Sequence, residues 1–150
     1  MRTTAKADYA VRAAIELAAS GGLVTAEQIA QAQRIPLNFL ENILRDLRRG
    51  GIVESRRGQQ GGYALARPAE EIAIADVIRA VEGPLANVRG YSPEDLEYGG
   101  ASEKLREVWI ALRANVRNVL EQVTLADVAR GELPAHVEEL TRDTDAWTRR

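Results

Sequence analysis

The sequence predicts a mainly α-helical fold that carries one small β-hairpin and a long helix towards its C-terminus. Three observations predict it: apolar residues at helical spacing through the N-terminal half, a basic glycine-rich stretch between two β-prone runs, and a heptad-spaced apolar seam in the C-terminal half.

Thr3 or Thr4 caps a first helix in which Val11, Ala14, Ile15 and Ala18 follow the i, i+3, i+4, i+7 rule, and Gly21-Gly22 ends it. Thr25-Ala26-Glu27-Gln28 has the form of a capping box and opens a short second helix through Gln33, with Ile29 facing inward. Arg34-Ile35-Pro36 breaks that helix. Pro36 suits the start of a third, Leu37 to Arg49, whose Leu40, Ile43, Leu44 and Leu47 share one buried face before Gly50-Gly51 stops it. Two helices joined by a tight turn thus follow a scaffold helix.

Ile52-Val53-Glu54-Ser55 and Tyr63-Ala64-Leu65 read as strands around Arg56-Arg57-Gly58-Gln59-Gln60-Gly61-Gly62, a hairpin of the kind that forms a wing beside a helix-turn-helix. Ile72 to Glu82 reads as a fourth helix closed by Gly83-Pro84. Residues 85–101 are turn-rich and predict a loop, with one helical turn near Pro93.

A long helix is expected from Ser102 to Val123. Its Leu105, Trp109, Leu112, Val116, Val119 and Val123 are spaced 4, 3, 4, 3 and 4, a seam that wants a partner helix. Val108, Ile110 and Leu120 widen the apolar face, so the helix should also pack on its own domain. At ~1.5 Å per residue this spine is about 33 Å long. Thr124-Leu125-Ala126-Asp127 restarts a short helix, Pro134 to Leu140 forms another, and residues 148–150 are expected to be loose. The organisation is a winged helix-turn-helix over 1–84, a loop over 85–101, and a dimerisation helix with its tail over 102–150.

Composition narrows the function. The net charge of −2 hides an asymmetry: residues 1–68 hold ten Lys/Arg against six Asp/Glu, and residues 69–150 hold ten against sixteen. A basic head on an acidic body suits a chain whose first half meets phosphates. With no cysteine and one histidine, His136, the sequence offers no disulfide or thiolate ligand and little for a metal, so no metal or other cofactor is expected. His136 reads as a surface residue. No apolar run is long enough for a membrane helix and no secretory leader is evident, so a cytoplasmic protein with no membrane partner is expected. An enzyme would need a poised nucleophile, acid or base, and no such motif is present. Gly58 to Gly62 lacks the helix and the Lys-Ser/Thr pair of a phosphate loop.

Opposite its leucines, the third helix presents Asn38, Glu41, Asn42, Arg45 and Arg49 at offsets 0, 3, 4, 7 and 11. Asn pairs bidentately with adenine, Arg with guanine, and Glu accepts from the cytosine amino group, all within a major groove that admits one helix. Any amphipathic helix has a polar face of this kind. The wing favours the DNA reading: Arg56, Arg57, Gly58 and Gln59 put two guanidinium groups on a tip where glycine lets the backbone approach phosphates, and arginine suits a narrow minor groove. Thr3, Lys6 and Tyr9 could add phosphate contacts, with capping and packing as equal alternatives. Tyr91, Tyr98 and Trp109 gather near the 85–101 loop, where they could line an effector pocket or simply form core and interface.

Met1 to Lys6, Asp8-Tyr9-Ala10-Val11, Phe39-Leu40-Glu41, Leu47 to Val53, and Arg57-Gly58 with Gly61 to Leu65 resemble the Rrf-two family of transcription regulators over about residues 1–130. The resemblance implies a winged-helix homodimer joined by the long helix and reading double-stranded DNA at a near-palindromic operator, most simply as a repressor. It implies Glu41 and Arg57 as DNA contacts. Cluster-binding members keep three cysteines in the loop before the dimer helix; here residues 87–102 contain none, and positions of a variant ligation on helix one read Asp8 and Arg12. The chain therefore resembles the branch without an iron-sulfur cluster, whose signal comes from a metabolite or from a partner such as a metabolic enzyme. An interaction protein that acts mainly through its acidic C-terminal half is the competing reading.

Overall fold

The computed structural model describes residues 2–150; Met1, the first residue of the family-like N-terminal motif, lies outside them. Seven helices follow in chain order: α1 (Ala5–Ser20), α2 (Ala26–Gln33), α3 (Leu37–Arg49), α4 (Ile74–Glu82), α5 (Leu105–Leu120), α6 (Leu125–Arg130) and α7 (Ala135–Arg142). Between α3 and α4 lie β1 (Val53–Arg56) and β2 (Gly62–Leu65), antiparallel with Val53 opposite Leu65 and Arg56 opposite Gly62.

Thr4, the second of the two candidate caps, closes α1 by accepting from Ala7 N–H at 3.0 Å. The buried face of α1 is Ala7, Ala10, Ala13, Ala14 and Leu17, rotated from the expected one, while Val11 and Ile15 are half-buried. The reason is tertiary: α2, α3, α4 and α6 all pack around α1, and alanines let them approach closely where larger side chains would hold them off. The capping box of α2 forms as expected, with Gln28 N–H on Thr25 Oγ1 and Thr25 N–H on Gln28 Oε1. Arg34 ends α2 in the left-handed region at φ 53°, setting the tight turn into α3. Leu40, Ile43, Leu44 and Leu47 of α3 are buried as their spacing predicts.

The wing rests on a third strand-like residue absent from the sequence reading. Val24 pairs with Tyr63 through hydrogen bonds of 2.9 and 2.8 Å, which fixes the hairpin to the chain entering α2. This pairing explains Gly62: a Cβ there would lie 2.7 Å from the Val24 carbonyl oxygen. Gly62→Ala should therefore destabilise the fold by about 1–3 kcal/mol, the range for overpacking. Urea unfolding checks this, and unchanged stability would mean that the wing does not need this close approach.

Two boundaries move. α4 begins at Ile74, not Ile72, because residues 72–74 run extended against residues 123–125, with Leu125 N–H on the Ile72 carbonyl and Ile74 N–H on the Val123 carbonyl, both 2.9 Å. α5 covers Leu105–Leu120 rather than 102–123, so at ~1.5 Å per residue it is about 24 Å long. Val123 thus leaves the predicted seam: it lies beyond the helix and is buried in the core with Leu125 and Ile72. α6 packs on α1 and Val137 of α7 is also in the core, so residues 123–140 complete the N-terminal domain instead of forming a separate tail. At the end, Arg150 pairs with Asp145 at 2.6 Å, so the expected loose tail has one tie.

The 85–101 loop is built, not slack. Leu85, Pro93 and Leu96 are buried, Glu94 pairs with Arg113 of α5 at 2.5 Å, and the expected helical turn occupies Pro93–Asp95.

Candidate nucleic-acid interface

A cleft of about 510 Å³ lies between α2, α3 and the wing. Glu41, Arg45 and Arg48 of α3 line one wall, Ser55, Arg56, Arg57 and Gly58 the other, and Glu27 of α2 with its N-cap Thr25 the end. Two predicted groups, the helix face and the wing arginines, therefore meet across one concavity. Its charge is positive on balance, four arginines against two glutamates.

Local folding puts each group there. Residues 41, 45 and 48 fall on one face because 3.6 residues complete a turn, and burial of Leu40, Ile43, Leu44 and Leu47 turns that face outward. β1 and β2 carry Arg56 to the end of the ladder, and the Gly61 N–H to Gly58 carbonyl bond of 3.0 Å folds the tip, leaving Arg56 and Arg57 exposed. Gly61 is required where it stands, since a Cβ would come 2.2 Å from the Arg56 carbonyl oxygen.

Asn38, Asn42 and Arg49 stand on the outer edge of the same helix face, exposed and outside the cleft. Asn42 donates to the Asn38 carbonyl and Arg45 to Asn42 Oδ1, each at 3.3 Å, so the outer edge is tied to the cleft edge. Gln59 is exposed on the wing tip. Arg48 is not among the DNA contacts expected from the sequence; it donates to Ser55 Oγ at 3.3 Å across the α3–β1 junction. The i, i+4, i+7 spacing of Glu41, Arg45 and Arg48 is the signal that would have found it.

The N-terminal candidates divide. Thr3 lies at a different cavity, near Glu82. Tyr9 is half-buried against the core, with the Arg12 guanidinium 4.9 Å from its ring centre, which is the packing alternative. Lys6 pairs with Asp46 of α3 at 2.8 Å. That hydrogen bond, opposed by partial burial and helped by Arg49 and Arg45, holds the Asp46 carboxyl below the usual carboxylate range. A carboxyl whose pKa is lower folded than unfolded stabilises the fold above its unfolded value near ~3.9 and loses that contribution as pH falls through its folded value. Lys6→Met should therefore shrink the stability lost on acidification below about pH 4, and an identical acid profile would show that the pair contributes nothing.

Tyr91, Tyr98 and Trp109 do not line one pocket. Tyr91 is 61% exposed, and Tyr98 spends its hydroxyl accepting from Trp109 Nε1 at 3.0 Å. Trp109 lines a cavity with residues of α4 and the 83–89 segment. On α5, Leu105, Trp109, Leu112 and Val116 are half-buried and Val108 is 54% exposed, so an apolar strip remains open, whereas Val119 packs on the core.

Among the described residues no helix is long and apolar enough to cross a membrane. Comparison with known proteins assigns most of the chain to one family. Residues 3–131 match the family model Rrf2, described as an iron-dependent transcriptional regulator. A candidate HTH-type transcriptional regulator of Mycobacterium tuberculosis, Rv1287, is 54% identical over 145 residues, covering 95% of this chain and 90% of that protein. The HTH-type regulator CymR of Bacillus subtilis is 34% identical over 131 residues, 86% of this chain and 90% of CymR. The solved structure of that CymR, a global cysteine regulator, superposes with a TM-score of 0.74 over 87% of this chain and 97% of its own. IscR of T. potens matches with a TM-score of 0.68 at 29% identity, over 100% of this chain and 93% of its own.

The iron in the family's description finds no matching donors here. The chain has no cysteine, His136 Nε2 lies 3.1 Å from the Asn118 carbonyl oxygen, and Asp8 is paired with Arg12 at 3.0 Å. Among the described residues no three His, Asp or Glu side chains converge in a way that could hold a metal ion. With an open cleft between α3 and the hairpin, and with sequence and structural likeness over nearly its full length, the chain belongs to the Rrf2 family of winged-helix, DNA-binding transcriptional regulators.

Proposed function

We propose that the protein is a homodimeric repressor that reads a near-palindromic operator, with α3 in the major groove and the 56–62 wing in the adjacent minor groove. One observation carries this reading: Glu41, Arg45 and Arg48 face Arg56 and Arg57 across a single cleft. A duplex seated there presents base edges to α3 and a phosphate-lined groove to the wing. The open strip Leu105, Val108, Leu112 and Val116 supplies the interface with a second copy, which matches two half-sites to two recognition helices.

The test is fluorescence anisotropy on the protein's own upstream intergenic DNA against a scrambled duplex at about 150 mM salt. A preference of ~10³ or more for the upstream duplex is expected of a specific, autoregulating binder. Weak and equal binding to both would overturn the autoregulatory reading. It would favour control by a protein docked on the acidic C-terminal end, where Leu140 and Trp147 are 55% and 77% exposed.

A further inference from the structure

A cavity of about 850 Å³ lies away from the cleft between α3 and the wing, between the start of α1, the end of α4, residues 83–89 and α5. Its size falls within the ~300–1,000 Å³ range of small-molecule sites. We propose that this cavity binds a small amphipathic anion, a carboxylate or sulfonate on an apolar body.

Its walls are apolar: Ile78 from α4, Leu85 and Val88 from the loop, and Trp109, Leu112 and Leu120 from α5. Its mouth is polar and unbalanced. Arg2 and Arg89 make no ion pair or hydrogen bond with any other described residue, and Asn87 adds an amide. The single carboxylate there, Glu82, already accepts from the Thr4 hydroxyl. An occupant with one negative head would meet two free guanidinium groups and leave its tail on the apolar wall. The two arginines come from opposite ends of the domain, Arg2 from the basic head and Arg89 from the loop after α4, and converge on one cavity.

The backbone of the mouth is also unusual. Ala86 and Arg89 lie in the left-handed region at φ 57° and 54°; the one other such non-glycine among the described residues is Arg34, in the helix-turn-helix turn. Such residues persist where surrounding structure over-determines them, and they cluster at ligand clamps. Here they shape the segment that carries Asn87 and Arg89.

The site also has leverage. α5 meets the winged domain along α4 and, at its C-terminal end, through Val119 and Leu120, and the cavity lies between α4 and α5. An occupant bridging Ile78 and Leu85 to Trp109 and Leu120 fixes the angle of α5, and with it the separation of two recognition helices in a dimer. It takes the Trp109–Leu120 edge of the apolar sector of α5 and leaves the Val108 edge to a second copy, with Leu112 on the border between the two.

The test needs no DNA and so stands apart from the operator reading. In a Trp147→Phe background Trp109 is the only tryptophan, and its emission reports the cavity. Decanoate, below its micellar concentration, should shift that emission saturably at one molecule per chain, and decan-1-ol should bind about tenfold more weakly or worse. Arg2→Gln with Arg89→Gln should weaken decanoate by a similar factor and leave decanol unchanged, with far-UV circular dichroism confirming the fold. Equal binding of acid and alcohol, or no saturable binding of either, would overturn the anion site. So would decanoate that binds only once light scattering shows the dimer dissociated, since the cavity would then be the slot of a second copy.

Discussion

Leu112→Glu is expected to give a folded monomer on light scattering and to lower operator affinity ~10²-fold or more, because two half-site contacts then no longer act as one. Leu112 sits in the middle of the apolar sector of α5, half-buried and outside the main core, so the change should spare the fold. In a helix-to-helix seam the new carboxylate would have to be buried without a partner or would face its own symmetry mate, and either is costly. Circular dichroism of the variant should match the parent. A dimer that persists would place the interface elsewhere.

Arg57→Ala is expected to weaken operator binding by ~1–3 kcal/mol, roughly 5- to 150-fold, while the dimer stays intact. Arg57 is exposed on the wing tip and lines the cleft opposite α3. If it enters a minor groove, its loss should also lower the slope of log affinity against log salt by about one, the signature of a released phosphate contact. Glu41→Ala, by contrast, should change which sequences bind more than how strongly the backbone is held, since a carboxylate reads a base amino group and is repelled by phosphates. Unchanged affinity and slope for Arg57→Ala would remove the wing from the interface and leave α3 as the sole reader.

How much of this was legible in advance depends on the range of the interaction concerned. Capping chemistry and apolar spacing are local, so Thr25-Gln28, the leucines of α3 and the glycines of the hairpin could be placed from the chain alone. Their outcome is a helix-turn-helix with a wing, and the absence of cysteine by itself removes thiolate ligation. The polar face of α3 was legible in outline too, but its division into a cleft edge (Glu41, Arg45, Arg48) and an outer edge (Asn38, Asn42, Arg49) was not, because it depends on where β1 lies.

The rest was settled by contacts between residues distant in sequence. The buried face of α1 shifted to alanines because four helices crowd one, and periodicity cannot say how many neighbours a helix will have. Val24 joined the wing through two backbone hydrogen bonds that no side chain announces. Val123 obeyed the heptad and still left it, since pairing of residues 72–74 with 123–125 drew it into the core. The sequence by itself determined the fold class and the chemistry offered to DNA, because short-range spacing and residue type encode both. Only the tertiary structure decided which side chains share a cleft, where α5 ends and which cavity Trp109 faces, because those follow from long-range packing that a linear pattern leaves free.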